Sequence, residues 1–476
     1  MSELRDNAPL LDSYLSYFES ARTPFTIPGH KQRTSLIDPD LGAIVDSDIP
    51  LYGGLDEIKL TNQTLRKAEA LAAQLWGADY ARFSTGGSTH ANQAIVLALG
   101  APGDKVAVSR TAHRSILSAL VLAGLEPIWM SPTIDTTTGV PIGISAEELG
   151  RTLTQNPIAV LLTEPGYLGT ISDIPVLIDL AHEKQIPVIV DAAWGGHFGF
   201  HHELPAHVIT LGADALITSV HKALPGYSAS ALLIAQGRYL DLDRIEQSFE
   251  TTHTTSPAGA PLASIDGVRA LLQLRGAELI SQLIENVMHF KNLVQSEFAL
   301  PVFLYPFDFP AGRFDLTKIV LRVQQLGASG VEIERDLQAL GIRVEMADRD
   351  TIVFLATLAD RREDFKTLAD KLIPILKRHQ EQRRESATAL SWSVTPQRGI
   401  SMRDAYFAKT EMVAADKAAG RISADLIAPY PPGVAVVAPG EILTEKILDG
   451  LATSKSAGVR IAYATDPTLA QYRVVI

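Results

Sequence analysis

The sequence predicts an α/β protein with a mainly parallel central sheet in a large domain, followed by smaller α/β domains. Between about residues 56 and 275, short apolar segments alternate with helical stretches, which is the rhythm of βαβ units covered on both faces. The same alternation recurs over a shorter length from about 300 to 378. We therefore expect the chain to divide into residues 1–55, 56–295, 296–385 and 386–476.

The first predicted elements surround a turn of small and hydroxyl residues. A helix is expected from Leu65 to Trp76, because Gly77 follows it and glycine is favoured just beyond a helix C-terminus. A strand at Tyr80–Phe83 then leads through the turn 84–89 into a helix that we expect to start near Ala91. Further strands of the large domain are predicted at Val106–Val108, Pro127–Met130, Ile158–Thr163, Pro187–Val190 and Ala215–Ser219.

The smaller unit shows the same pairing of strands and helices. Strands are predicted near Lys318–Val323 and Ile352–Leu355, and helices at Val331–Leu340 and from Asp364 onward. The last part of the chain is rich in Ala, Pro and Gly and shows only short helical and strand patterns.

The bulk composition narrows the function. The 476 residues carry a formal charge of −12 at pH 7, and an acidic chain has no electrostatic footprint for nucleic acid or an anionic membrane. The absence of cysteine excludes disulfides, thiolate metal sites and cysteine nucleophiles. The charged N-terminus does not resemble a signal peptide, and no apolar run reaches the roughly 18 residues of a membrane helix. We therefore expect a cytoplasmic protein, and we predict no metal site.

One turn suits an anion. Ligands of an open parallel sheet bind beyond the carboxyl ends of its strands, and the turn Ser-Thr-Gly-Gly-Ser-Thr at 84–89 lies between a strand and a helix. Backbone N–H groups at a helix N-terminus, together with hydroxyls, favour an anion such as a phosphate. The same residues also serve as an ordinary helix cap, so the turn alone leaves both interpretations open.

A carboxylate and a lysine follow two later strands. Asp191 ends the apolar segment 186–190, where a carboxylate can bind a metal, cap a helix or pair with a protonated pyridine nitrogen. Lys222 ends the motif Ser-Val-His-Lys directly after another strand. A lysine in such a crevice acts as a Schiff-base lysine when its pKa is lowered, whereas a surface lysine is the ordinary alternative. His113 is a further candidate, because an imidazole can stack on a flat cofactor ring.

Several longer motifs contain these residues. They are Pro24–Lys31 (Pro-Phe-Thr-Ile-Pro-Gly-His-Lys), Thr85–Thr89, Ala112–Ser115, Pro165–Gly169, Asp191–His201, Ser219–Lys222, Thr254–Pro257, Ala263–Asp266, Tyr430–Gly433 and Pro439–Glu441. In these motifs the chain resembles the Orn/Lys/Arg decarboxylases, pyridoxal-phosphate enzymes of the aspartate-aminotransferase fold, called fold type I. The resemblance covers about residues 24–441 and points to the shorter branch, which lacks an N-terminal wing domain.

The resemblance implies pyridoxal 5′-phosphate as cofactor and a role for each matching residue. Lys222 would form the Schiff base, Asp191 would pair with the pyridine nitrogen and His113 would stack on the ring. Further cofactor contacts are implied for Gly87, Ser88, Thr89, Ala193, Ser219 and His221. Because family active sites lie at a dimer interface, Thr255 or Ser256 would reach the phosphate bound by the partner subunit. Trp194 and Glu441 are expected to line the substrate pocket, with Glu441 pairing with the distal cation.

The implied reaction is decarboxylation of a basic amino acid, with arginine slightly favoured over lysine or ornithine, as a step of polyamine biosynthesis. Lys222 or His221 would return a proton to the α-carbon. The resemblance also implies a homodimer or higher homo-oligomer.

Other chemistry on the same fold stays open, because the chain departs from the family pattern at Thr85, Gly87 and Ala192. Transamination, aldol cleavage and elimination are the alternatives, and Arg322 or Arg343 is available for the α-carboxylate in a transaminase. A non-catalytic cofactor-binding protein is disfavoured, because the predicted site is complete.

Overall fold

A computed structural model of the protein describes residues 2–19, 31–49, 63–384, 396–430, 434–456 and 458–476. The motif residues 24–30 and 431–433 lie outside the described residues. The chain divides into two compact units. The first comprises residues 1–98, 189–202 and 206–280, and the second comprises 99–188, 203–205 and 281–476. The division into four parts predicted from the sequence stays a prediction.

Helices and strands alternate through most of the chain. The helices are α1 Glu3–Asp6, α2 Pro9–Glu19, α3 Pro39–Val45, α4 Thr64–Trp76, α5 Gly87–Leu99, α6 Arg114–Ala123, α7 Ala146–Leu153, α8 Ile174–His182, α9 Leu242–Thr252, α10 Gly259–Gln295, α11 Gly330–Ala339, α12 Arg362–Arg378, α13 Met402–Phe407 and α14 Glu445–Ser456. The strands are β1 Tyr80–Ser84, β2 Lys105–Ser109, β3 Glu126–Met130, β4 Val160–Thr163, β5 Val188–Asp191, β6 Ala215–Ser219, β7 Ala231–Ala235, β8 Ile319–Arg322, β9 Met346–Ala347, β10 Thr351–Phe354, β11 Thr410–Ala414, β12 Ala428–Tyr430, β13 Arg460–Ala462 and β14 Gln471–Val475.

The largest sheet has the strand order β1-β7-β6-β5-β4-β2-β3. Within the first unit, β5 and β6 are parallel, whereas β7 runs antiparallel to both β6 and β1. Within the second unit, β2 is parallel to both β3 and β4. Every residue of β5, β6 and β7 is buried, as expected for strands covered on both faces. The predicted α/β class with a mainly parallel sheet is confirmed.

Helix α5 begins earlier than predicted. It starts at Gly87 rather than near Ala91, so that Ser88 and Thr89 lie in its first turn. The hydroxyl residues that suggested a turn are thus helical residues at an N-terminus, where backbone N–H groups have no partner within the helix. Helix α4 ends as predicted, with Gly77 in the left-handed conformation at φ 65°.

The later elements of the second unit form small sheets with their own cores. Strands β8 and β9 both pair antiparallel with β10, and β11 pairs with β14 and β12 with β13. The predicted strands and helices between 318 and 378 agree with these elements to within about two residues. Buried side chains fill the first core, including Val287, Phe290, Ile333 and Leu372. In the described part of the chain, no helix is both long enough and apolar enough to cross a membrane.

Candidate active site

Two neighbouring strand ends of the first unit bring together a carboxylate and a lysine. Asp191 is the last residue of β5 and lies opposite Ile217 of the parallel strand β6. Lys222 comes three residues after Ser219, with which β6 ends. Because the carboxyl ends of parallel strands share one edge of the sheet, both side chains belong to the edge where ligands of this architecture bind.

Asp191 is a buried carboxylate held by neutral donors. Asp191 is only 4% exposed to solvent. Asn92 donates to it through Nδ2 at 2.8 Å, and the backbone N–H of Ala193 donates at 3.1 Å. Within the described ranges, no cationic side chain forms an ion pair with Asp191. A buried carboxylate in this state is destabilised unless a ligand brings a positive charge.

Lys222 lies over an aromatic ring. Its Nζ atom is 4.5 Å from the ring centroid of Trp194, and both residues are half-buried. Trp194 follows Asp191 by three residues, so the same short segment supplies the carboxylate and the ring that contacts the lysine. A cation over a tryptophan face is stabilised by the ring's quadrupole. The structure therefore brings Lys222, Asp191 and Trp194 to one region of the first unit, and their predicted roles stay predictions.

The segment 84–89, here called the phosphate turn after its predicted role, runs from the last residue of β1 into the first turn of α5. Gly87 has φ 66°, a conformation that favours glycine. Its N–H donates to Ala229 O at 2.6 Å. In the next residue, Ser88 Oγ lies 2.8 Å from Ser219 Oγ, which joins the start of α5 to the end of β6. Ser88 is half-buried and Thr89 is exposed, so both hydroxyls are placed where a bound anion can reach them.

His221 has a defined tautomer. Its Nδ1 atom lies 2.9 Å from the carbonyl oxygen of Ser230. A carbonyl only accepts, so Nδ1 carries the proton and donates, which leaves Nε2 of the neutral ring as an acceptor. His221 is half-buried and directly precedes Lys222 in the chain.

Besides Thr89, three predicted site residues are exposed to solvent. Thr255 and Ser256 follow the end of α9, and the N–H of Ser256 donates to Thr254 Oγ1 at 3.2 Å. Their predicted contact with a partner subunit stays a prediction. His113 belongs to the second unit, where it is the N-cap of α6 and its Nδ1 accepts from the N–H of Ser115 at 3.2 Å. Its predicted stacking on a cofactor ring also stays a prediction.

Glu441 is fully engaged within the second unit. Its Oε1 and Oε2 atoms accept from the two Nη atoms of Arg110 at 2.6 and 2.9 Å, and the N–H of Ala438 donates to Oε2 at 2.7 Å. Arg110 also donates to Val436 O at 2.8 Å, and its guanidinium carbon lies 4.6 Å from the ring centroid of Trp129. The expected role of Glu441 toward a substrate cation stays a prediction, since its carboxylate already has a cationic partner.

Sequence reasoning missed Asn92 and Arg110. Asn92 is completely buried on α5, and its partner Asp191 lies 99 residues away along the chain. Arg110 is likewise distant from its partner Glu441, by 331 residues. No local sequence pattern marks either contact.

The first-unit residues fit pyridoxal 5′-phosphate. A phosphate requires N–H and hydroxyl donors, which the start of α5 supplies together with Ser88 and Ser219. A protonated pyridine requires a carboxylate, and Asp191 is buried and lacks a cationic partner among the described residues. An aldehyde requires an amine, and Lys222 lies over Trp194, which follows Asp191 by three residues.

Solved structures define the class of fold. The lysine decarboxylase LdcF from Francisella novicida superposes with a TM-score of 0.80 at 20% sequence identity, over 98% of this chain and 81% of that chain. A structure of SPT with PLP superposes with a TM-score of 0.53 at 14% identity, over 66% of this chain and 76% of that one. The fold is therefore that of fold type I enzymes, as the resemblance implied.

Sequence comparison identifies the family. Residues 8–308 match the model of the Orn/Lys/Arg decarboxylase major domain, and residues 380–459 match that of the Orn/Lys/Arg decarboxylase C-terminal domain. The chain is 31% identical to the arginine decarboxylase of Bacillus subtilis (strain 168), over 98% of this chain and 97% of the relative. The protein belongs to the Orn/Lys/Arg decarboxylase family, so the predicted family and the predicted class of enzyme, a decarboxylase, are confirmed.

Proposed function

We propose that the protein is a pyridoxal-phosphate-dependent decarboxylase that converts arginine into its amine, agmatine, and CO₂. The observation that carries this proposal is the position of Asp191 at the end of β5 and of Lys222 just beyond the parallel neighbour β6, at one edge of the sheet. Asp191 is buried without a cation from the described residues, and Lys222 follows the neighbouring strand. When bound, the cofactor supplies a protonated ring that takes up the electron pair of the broken bond.

The chain's own residues hold and protonate the reacting groups. Asp191 keeps the pyridine nitrogen protonated, because a buried carboxylate favours a neighbouring positive charge. Ser88, Ser219 and the first N–H groups of α5 bind the phosphate. Lys222 would supply the amine that holds the aldehyde group of the cofactor. With Nδ1 bound to a carbonyl, His221 can carry a proton on Nε2 toward the α-carbon.

Arginine is favoured by similarity. The relative at 31% identity over nearly the whole chain is named an arginine decarboxylase, whereas the lysine decarboxylase LdcF is 20% identical. We also propose a cytoplasmic location, a homodimer in which Thr255 or Ser256 reaches the partner's phosphate, and a place in polyamine biosynthesis. The roles that the family resemblance implies for His113, Thr89, Trp194 and Glu441 are part of this proposal.

The first test locates the cofactor. The purified protein is reduced with borohydride in the presence of pyridoxal 5′-phosphate, digested and analysed by mass spectrometry. We expect one phosphopyridoxyl adduct, on Lys222. Lys222→Ala should lose the adduct and all decarboxylation, while the exposed Lys366→Ala should retain both. An adduct elsewhere, or turnover by Lys222→Ala, contradicts the assignment.

The second test identifies the reaction and its substrate. Arginine, lysine and ornithine are supplied separately, and CO₂, amine and keto acid are quantified. CO₂ and agmatine in equal amounts from arginine support the proposal. A keto acid in place of CO₂ would assign transamination, and faster release of CO₂ from lysine or ornithine would replace arginine as the substrate.

A further inference from the structure

Two histidines beneath the phosphate turn take no part in the proposed chemistry. His90 on α5 is 6% exposed, and His253 directly follows α9. Their ring centroids are 4.9 Å apart. Both belong to the first unit, and both contact residues of the phosphate turn. They therefore lie between this turn and the end of α9.

His90 is bound to the phosphate turn through a serine. Its Nδ1 atom lies 2.8 Å from Ser84 Oγ. The same hydroxyl lies within 3.1 Å of Gly87 O and accepts from the N–H of Gly86 at 3.2 Å. A Cβ atom on Gly86 would come within 2.7 Å of His90 Cβ, so the turn and the histidine are in close contact. Ser84 thus connects the His90 ring to both glycines of the turn.

The opposite side of this assembly is the last turn of α9. His90 Nε2 lies 3.0 Å from Thr252 Oγ1, so one imidazole joins hydroxyls of β1 and α9. His253 makes a parallel connection, because its Nε2 lies 3.3 Å from Thr85 Oγ1 while its ring stacks on Phe249 at 5.1 Å. Two imidazoles therefore connect the same turn to the same helix end.

The helix end is itself anchored to β1. Arg82 is 2% exposed and donates to Glu246 and Glu250 of α9, each at 2.5 Å, and to Glu69 of α4 at 3.1 Å. Its guanidinium carbon lies 4.2 Å from the ring centroid of Phe249. Buried, multiply hydrogen-bonded charges of this kind fix the elements that carry them. Helix α9 is therefore a rigid support for the histidines.

Both histidines are neutral at physiological pH. Burial and the neighbouring His253 lower the pKa of His90 to about 4, with Arg82 adding to the effect and Glu250 opposing it. Burial, followed by Arg82, also lowers the pKa of His253. Each neutral ring offers one donor and one acceptor, which is what a hydroxyl on either side requires.

We infer that His90 and His253 are positioning residues that hold the phosphate turn in its ligand-binding conformation by tying Ser84 and Thr85 to the end of α9. This inference rests on the proposed function, because the ligand of the turn is the cofactor phosphate. In the proposed function, neither histidine contacts the substrate or the reacting atoms of the cofactor. They act through the turn, so their loss should weaken phosphate binding selectively.

The test compares pyridoxal 5′-phosphate with pyridoxal, which lacks the phosphate. Dissociation constants of both are measured by absorbance titration of the full-length protein freed of cofactor. The variants are His90→Ala, His253→Ala, Thr252→Val and Thr85→Val. Thr251→Ala is the matched control, because this exposed residue lies beside Thr252 and makes the same type of bond to its own helix. Unfolding temperature and circular dichroism monitor the fold.

We expect each variant to weaken the binding of pyridoxal 5′-phosphate about fivefold while changing the affinity for pyridoxal less than twofold, since the loss of one neutral hydrogen bond corresponds to a factor of about five. His253→Gln, which keeps a side-chain donor and acceptor, should recover part of the loss, and Thr251→Ala should match the wild type. Equal losses for the two ligands, or no loss, would overturn the inference. If His90→Ala does not fold, Thr85→Val and Thr252→Val decide the question, by comparing the loss of affinity for pyridoxal 5′-phosphate with the loss for pyridoxal. Failure of the wild-type protein to bind the cofactor would instead refute the proposed function.

Discussion

The strongest stability prediction concerns the buried pair Arg110–Glu441. Both residues are at most 3% exposed, and two short hydrogen bonds join guanidinium and carboxylate. Glu441→Gln keeps the shape of the side chain but leaves Arg110 with its charge buried and only neutral acceptors. Breaking one side of such a pair costs about 3–5 kcal/mol. Replacing both partners, in Arg110→Met/Glu441→Leu, should restore most of that loss because no buried charge remains.

The assay is urea unfolding followed by fluorescence, with the transition midpoints of the wild type, both single variants and the double variant compared. The exposed pair Arg421–Glu411 provides the control, because breaking a surface pair with Glu411→Gln should cost at most about 1 kcal/mol. A cost below about 1 kcal/mol for Glu441→Gln would refute the reasoning. If that variant also raised the KM for arginine at unchanged stability, Glu441 would instead be the substrate carboxylate expected from the family resemblance.

Three further predictions follow from buried groups and backbone. Burial raises the pKa of Glu164 to about 7. The protonated side chain therefore stabilises the fold fully below the pKa of the unfolded state. That contribution to the free energy of unfolding, about 3 kcal/mol, is lost as the pH rises through 7. Glu164→Gln should therefore raise the unfolding temperature at pH 8 but not at pH 4.5, and equal gains would contradict this. Burial lowers the pKa of Lys291 to about 8, so the charged form destabilises the fold below pH 8. After allowance for the lost hydrogen bond, Lys291→Met should stabilise the protein by about 2 kcal/mol at pH 7 and by less at pH 10, as measured by calorimetry. A gain in stability that is equally large at pH 10 would argue against the buried charge. Gly87→Ala should cost about 1–2 kcal/mol through its φ of 66° alone, because the added Cβ would meet Ala229 only at 3.7 Å; an unchanged urea midpoint would show that the turn adapts.

The parts of the fold that could be predicted are those with a local pattern. The segments ending at Asp191 and Ser219 are continuous apolar runs, and such runs bounded by turns indicate strands buried on both faces. Strand β7 was missed although it is equally apolar, because Ala-Leu-Leu-Ile-Ala suits a buried helix as well as a strand. The start of α5 was placed too late, because Ser and Thr favour both turns and helix N-termini.

The residues of the candidate site also differ in whether a local sequence pattern reveals them. Lys222, Asp191 and the phosphate turn follow strands in the sequence, and sheet topology alone brings Asp191 and Lys222 to one edge. Asn92, His90 and His253 could not be assigned, because their partners lie on other elements and leave no pattern along the chain. Side-chain contacts of this kind depend on packing, which periodicity does not encode.

The large separation of Arg110 and Glu441 along the sequence has a consequence for folding during synthesis of the chain. Arg110 leaves the ribosome 331 residues before the carboxylate that neutralises it. At about 5–20 residues per second, that interval lasts tens of seconds, during which the end of β2 cannot be buried without a large electrostatic penalty. Nascent chains and fragments that stop short of Glu441 should therefore keep this strand end hydrated. The C-terminal segment is needed to bury a residue that lies in the first quarter of the chain.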